Sequence, residues 1–389
     1  MSVKITAHKP LPHIFNWALN ILSAALKFIK NNTVFVIALS LAIITAFIIP
    51  PDATYIHYFD FKTLTCLFCT LAVVCALKNI KFFTILAQKI VKTAKNTRFA
   101  IIALVYITFI GSMLIANDMA LITFLPLGYY VLSSTHKEKY MAFTFIMQNI
   151  SANLGGMLTP FGNPQNLYLY EKFAISNSEF VSIMIIPFAV SVFLITLCCL
   201  FIKKEPLIIE ERDYSPLPIG KTILYIILFA FSVALVFRIV PYYVGLILIP
   251  LVLLFADKKA LLNVDYALLF TFAAFFVFAG NMARLDIIKD FLAAMLERNT
   301  LFVSVLSCQF ISNVPSAILL SQFTENYRAL LIGVNIGGTG TLIASLASLI
   351  TFREYTSHYK KKALTYIALF SAFNFAFLAV LTLICLFII

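Results

Sequence analysis

Asn153, Gly155, Gly156, Thr159, Asn163 and Asn166 fall within one short stretch, NLGGMLTPFGNPQN (153–166), set between apolar MAFTFIM and LYLY. Amide and hydroxyl oxygens at this density are neutral ligands suited to a hard monovalent cation. Glycine, proline and asparagine are poor helix formers, so the backbone here would be free to join them. A second stretch, NIGGTGTLIASLAS (335–348), repeats the spacing. Asn335, Gly337, Gly338, Thr341, Ser345 and Ser348 each stand 182 residues beyond their counterparts, with Thr339 between. Upstream of each stretch lies a short polar interruption: IANDMA (115–120), with Asn117 and Asp118, and ISNVPS (311–316), with Ser312, Asn313 and Pro315. Asp118 is the acidic residue flanked by long apolar runs on both sides, and a carboxylate inside a membrane is costly and by default functional.

The elements that must position these residues are membrane helices. Hydrophobic residues make up 62% of the chain, charged residues 12%, and the mean hydropathy is +0.97, which a soluble domain could not cover with polar surface. Apolar runs predict nine spans, near 33–49, 63–78, 141–170, 180–202, 221–238, 242–256, 263–281, 329–351 and 363–388. Residues 1–32 read as an N-terminal interfacial segment. With the N-terminus in the cytoplasm, 22 of the 29 Lys and Arg fall on the inner side, which orients the chain with its C-terminus outside. The net charge of +12 is therefore a topology signal and excludes nucleic acid as a partner. The seven cysteines lie in apolar segments, and HExxH, paired CxxC, GxSxG and phosphate-loop motifs are absent from the sequence.

Two pairs of apolar runs, 99–132 and 300–323, read as hairpins with tips at Asn117-Asp118 and Asn313-Val314-Pro315. The arms 300–311 and 316–323 are too short to cross a core of ~30 Å at 1.5 Å per residue. The longer arms of 99–132 leave two full spans joined by a tight turn as the alternative. The stretches 81–98 and 284–298 ahead of them alternate charged and apolar residues, as interfacial helices would. Because one span, 221–238, intervenes, the second set of elements starts from the opposite side. The fold class expected is an all-α polytopic membrane protein of two inverted repeats, 33–202 and 242–389, joined by a loop and linking span at 203–241. Each repeat carries a re-entrant helical hairpin and a broken transmembrane helix. Broken backbone is viable in a membrane only where it faces protein, water or a ligand, and matched breaks mark secondary transporters. The four glycines could instead serve close helix packing, Gln148 and Asn149 read as interhelical hydrogen-bonding residues, and Asp118 could cap the second hairpin arm.

At these residues the chain resembles the ion-transporter superfamily, which includes citrate and dicarboxylate permeases, divalent-anion/sodium symporters, arsenite permeases and some sodium/proton antiporters. AND with Pro126 beyond it, NLGGMLTPFGNPQN, SNVPSAILL and NIGGTGTLIAS carry the resemblance over residues 33–389. It implies a homodimer in the inner (plasma) membrane, an elevator movement, and Na⁺ at Asn117, Asn153, Asn313 and Asn335. In the sodium/dicarboxylate members each tip carries Ser-Asn-Thr; here the tips read Ala116-Asn117-Asp118 and Ser312-Asn313-Val314. Loss of both threonines points away from dicarboxylate specificity and towards proton coupling at Asp118. The function expected is secondary transport of a small citrate- or dicarboxylate-like anion, coupled to Na⁺ or H⁺, with no cofactor and no enzymatic activity. Arsenite or oxyanion efflux and Na⁺/H⁺ exchange are the alternatives within the superfamily; a channel or an intramembrane enzyme lies outside it.

Overall fold

A computed structural model describes residues 32–207 and 216–388; the N-terminal interfacial segment expected at 1–32 therefore lies outside the described residues but for Asn32. Helices account for nearly all of the regular structure. The first group is α1 (Thr33–Ile48), α2 (Phe61–Asn79), α3 (Phe82–Lys92), the hairpin arms α4 (Thr97–Ile115) and α5 (Asn117–Ser134), the interrupted pair α6 (Met141–Gly155) and α7 (Pro164–Lys172), and α8 (Asn177–Leu200). After the linking helix α9 (Ile219–Val236) come α10 (Tyr242–Ala256), the short α11 (Lys258–Leu262) and α12 (Tyr266–Ala283). They are followed by α13 (Asp286–Ile311), α14 (Asn313–Leu320), the pair α15 (Tyr327–Ile336) and α16 (Leu346–His358), and α17 (Ala363–Leu386). The elements before and after α9 follow a similar order, with the short α11 extra after it and one kinked helix, α13, where the first group has α3 and α4.

Caps mark the corresponding starts. Asp60 Oδ1 accepts from the Thr63 N–H and Asp265 Oδ1 from the Leu268 N–H, both at 3.0 Å, opening α2 and α12. Asn96 Oδ1 accepts from the Phe99 N–H at 3.0 Å to open α4. Asn299, whose φ of −163° breaks α13, accepts from the Phe302 N–H at 2.8 Å and restarts the helix as a hairpin arm. Such caps satisfy first-turn N–H groups that have no intrahelical acceptor.

Among the described residues, seven helices are long and apolar enough to cross a bilayer: α2, α4, α8, α9, α12, α13 and α17. This differs from the nine expected in an instructive way. The two broken spans drop out because each is split, and α1 and α10, at 16 and 15 residues, fall short of the ~20 that a perpendicular crossing needs. α4 enters with 19 residues, so the first hairpin is the longer of the two. α13 enters only because its two segments, on either side of the break at Asn299, are taken together.

The helices pack in two groups. α1, α2 and α9 to α12 contact one another; α4 to α8, the distal part of α13, and α14 to α17 form the other. The groups meet mainly where α12 touches α14 and α2 touches α7. α6 and α7 are buried almost throughout, whereas α8, α9 and α17 expose Phe193, Ile223 and Leu383, the outward apolar surface that lipid would cover.

At one end of the molecule the segment after α8 is strapped across the first hairpin. Leu207 N–H bonds Lys95 O, Thr97 N–H bonds Glu205 O, and Arg98 Nε donates to Ile202 O. The Glu205 carboxylate takes Lys137 at 2.7 Å, Lys139 at 2.5 Å and the Tyr140 hydroxyl at 2.9 Å. The hydrogen bonds from Lys137, then Lys139 and Tyr140, hold that carboxyl down at about 2. A carboxyl so lowered contributes to stability above its unfolded value near 4.3 and loses the contribution as pH falls towards 2, so the strap holds at every physiological pH. Glu205→Gln is expected to speed trypsin cleavage after Lys203 and Lys204; cleavage at the parent rate would show that the strap does not depend on this carboxylate.

Candidate functional site

Both hairpins turn at one residue in a conformation that side chains rarely adopt. Ala116 has φ 65° and ψ 152°, and Ser312 has φ 75° and ψ 159°. Non-glycine residues there cost about 1–3 kcal/mol each and persist where the surroundings over-determine them. The turn places Asn117 and Asn313 at the first position of the returning arm. Asn117 Oδ1 accepts from the Asp118 N–H and Asn313 Oδ1 from the Val314 N–H, both at 2.9 Å. The capping role considered for Asp118 is not what the structure shows. The Ala120 N–H bonds Ala116 O instead, and Asp118 Oδ1 is shielded with no partner among the described residues.

The two broken spans answer where freed backbone groups go. α6 ends at Gly155, passes through a single tight turn (Gly156–Leu158), and runs irregularly to Asn163. Asn166 Nδ2 lies within hydrogen-bonding reach of the Gly156, Met157 and Thr159 carbonyls at 3.2, 3.4 and 3.3 Å. In the second break Gln309, a residue the sequence reading passed over, does the equivalent work. Its Nε2 donates to Gly337 O at 2.9 Å and Thr339 O at 3.1 Å, and its Oε1 accepts from the Thr341 N–H at 2.9 Å. Gly340, at φ 114°, leaves room for that amide, since a side chain there would meet Gln309 Oε1. The threonines also bond backbone: Thr159 to Met113 O, Thr339 to Ile336 O and Thr341 to Gln309 O. Ser345 caps α16 at the Ser348 N–H, and the Ser348 hydroxyl accepts from Asn149 Nδ2, an interhelical bond as read. Gln148 likewise donates to Thr108 across helices. Gly155 and Gly337 face the hairpin arms at close range, against Phe109 and Ser112 and against Cys308 respectively.

Between the breaks runs a buried chain of amides. Asn117 Nδ2 donates to Asn153 Oδ1 at 3.3 Å; Asn163 Nδ2 donates to Asn153 O at 3.1 Å and to Asn335 Oδ1 at 3.2 Å; Asn335 Nδ2 donates to Asn166 Oδ1 at 2.5 Å. Gly338 sits where this chain meets the second tip, with Asn313 Nδ2, Asn335 O and Asn153 Oδ1 around its Cα face. The two separate amide clusters read from the sequence are one network in three dimensions, and the Oδ1 atoms of Asn153 and Asn335 already accept hydrogen bonds.

Of the residues singled out, Asn117, Asp118, Ser312, Asn313 and Pro315 line a cavity of about 40 Å³ between the tips. Pro164 and Gln165 at the start of α7, with Leu346, complete this side, while Val34, Leu268 and Thr271 close it from the other helix group. The Gln165 side chain is buried, with both Oε1 and Nε2 unpartnered among the described residues. An adjoining cavity of about 110 Å³ shares Val34, Leu268, Thr271 and Leu346 and is bordered by Asp265 and Arg353. Arg353 escaped the sequence reading because it follows the apolar run, yet α16 carries it two turns beyond Leu346. No group of three or more His, Cys, Asp or Glu residues able to hold a metal occurs among the described residues.

Among the described residues, seven helices long and apolar enough to span a bilayer, packed with two interrupted spans whose breaks meet the hairpin tips, define a polytopic membrane protein. The chain belongs to the citrate transporter family, which it matches over residues 17–328. It is 35% identical over 299 residues to an uncharacterized transporter of Methanocaldococcus jannaschii, covering 76% of this chain and 82% of that protein. It is 28% identical over 281 residues to the inner membrane protein YbiR of Escherichia coli, covering 70% and 74%.

Proposed function

We propose that this protein is a secondary active transporter of a small anion, driven by an ion gradient and working by an elevator movement of one helix group against the other. The observation that carries this reading is the cavity between the hairpin tips. Every unpartnered polar atom that borders it, on Asp118 and Gln165, comes from the group containing the hairpins. The opposing surface offers Val34, Leu268 and Thr271, small or apolar side chains past which a loaded group could slide without breaking ligand contacts. We read the two sets of elements as inverted repeats, the arrangement that lets one group present its site to either side. The basic residues orient the N-terminus inward.

Between the two coupling ions, H⁺ is the better supported. At the amide network the Asn153 and Asn335 oxygens each accept one hydrogen bond, from Asn117 and Asn163, so a cation there would have one remaining lone pair on each and the unpartnered Asn163 Oδ1, all neutral. Asp118 in contrast brings a carboxylate into the cavity that an anion must enter. Two like charges in so small a space repel strongly, and a proton taken up with the substrate removes one of them. The test is uptake of labelled citrate, malate, phosphate and arsenite into proteoliposomes under imposed pH or Na⁺ gradients. Uphill uptake of an anion driven by a pH gradient is the expected result. Current or flux that only follows the solute's own gradient would make the protein a channel or uniporter and overturn the reading.

A further inference from the structure

The buried Gln165 side chain has no hydrogen-bond partner among the described residues. It occupies the second position of α7, a helix of nine residues whose first turn points at the cavity. The residue before that helix, Asn163, would ordinarily turn its side chain onto a first-turn N–H. It does not: its Nδ2 donates to Asn153 O and Asn335 Oδ1, and its Oδ1 has no partner among the described residues. Pro164 has no N–H to offer, and the Asn166 and Leu167 N–H groups bond Asn163 O. The Gln165 N–H is therefore the first-turn donor left without an acceptor among the described residues, beside a side-chain amide that also lacks partners. The matching helix of the other half is closed, since Ser345 caps α16. A buried amide without a hydrogen bond costs about 1–3 kcal/mol, and three unpaired groups on one residue at one cavity wall are accounted for if a ligand pairs them.

Resting on the transporter reading above, we infer that Gln165 is a specificity-determining residue, recognising a carboxylate together with a neighbouring hydroxyl. Its backbone N–H and Nε2 are donors for a carboxylate at the positive end of α7. Its Oε1 is an acceptor, which a bare carboxylate would leave unpaired and a hydroxyl satisfies. The cavity of about 40 Å³ holds only a few non-hydrogen atoms, enough for that pair of groups. The rest of a larger substrate extends into the adjoining cavity of about 110 Å³, towards Arg353. A site that hydrogen-bonds a hydroxyl discriminates against the analogue lacking it because its own buried acceptor is then orphaned.

Citrate and tricarballylate, which differ by that one hydroxyl, are the probes. Their dissociation constants are measured by ligand-induced thermal stabilisation of the purified full chain and of Gln165→Leu and Gln165→Met. The parent is expected to prefer citrate by about tenfold or more, and both variants to lose that preference while melting, without ligand, no lower than the parent. A ligand-free melting temperature several degrees lower in both variants would assign the amide a structural role and overturn the inference. So would variants that keep the parent's preference, or a parent that binds both compounds equally. If the parent is stabilised by neither compound, and phosphate and arsenite also fail, the anion-transporter reading itself falls.

Discussion

Gly155→Ala is expected to lower the melting temperature of the purified protein by several degrees. A Cβ at this position would lie 2.3 Å from the Phe109 carbonyl oxygen and 2.6 Å from the Ser112 hydroxyl. The carbonyl belongs to the backbone of α4 and cannot rotate away, so α6 and the hairpin arm would have to separate. Overpacking of this kind costs about 1–3 kcal/mol, and a clash with backbone belongs at the upper end. Gly338→Ala supplies the contrast. Its nearest neighbours would be Asn313 Nδ2 at 3.1 Å and Asn335 O at 3.2 Å, the first of them the end of a side chain that can shift. That variant is expected to melt close to the parent yet transport poorly, because the shift displaces the second tip. Equal melting temperatures for Gly155→Ala and the parent would mean that α4 and α6 are not held at the distance described.

Asp118→Asn is expected to uncouple transport from pH. The substitution keeps the shape of the side chain and removes its ability to carry a proton. The Asp118 side chain caps nothing, so the variant is expected to fold and melt like the parent. If the proton that accompanies the substrate rides on this carboxylate, uphill uptake driven by a pH gradient is lost in proteoliposomes while exchange of substrate for substrate persists. The drop in gradient-driven accumulation is expected at about 5- to 150-fold, the span of ordinary coupling free energies of about 1–3 kcal/mol. A variant with the parent's accumulation and pH profile would move the coupling to another group.

Much of this architecture is legible in the residue string. Membrane residence follows from composition, and the helix positions follow from apolar runs, because the cost of burying a charge in lipid is paid residue by residue and needs no knowledge of neighbours. The breaks at 156–163 and 337–345 announce themselves through glycine, proline and asparagine, whose backbone preferences are local. The hairpin tips are visible as polar residues where a run of apolar ones should continue. Even the starts of α2 and α12 can be read from Asp60 and Asp265, since capping is a matter of two or three residues.

What only the tertiary structure decided is how each polar group spends its hydrogen bonds. The sequence presents Thr159, Thr341, Asn163, Gln165 and Asn166 as equivalent candidates in and around the two breaks. Packing turns the two threonines onto hairpin carbonyls, sets Asn166 beneath the unwound backbone and draws Asn163 across to Asn335. Gln165 alone among these five is left with both side-chain polar atoms unpaired, at the cavity wall. Gln309 entered for the same reason, from a hairpin arm, and Arg353 because α16 carries it from beyond an apolar run to the border of the adjoining cavity. A helix or a break is chosen by the chemistry of a few adjacent residues. A hydrogen-bond partner is chosen by which distant segment packs within about 3 Å, and for Asn163 and Asn335 that segment lay 172 residues away.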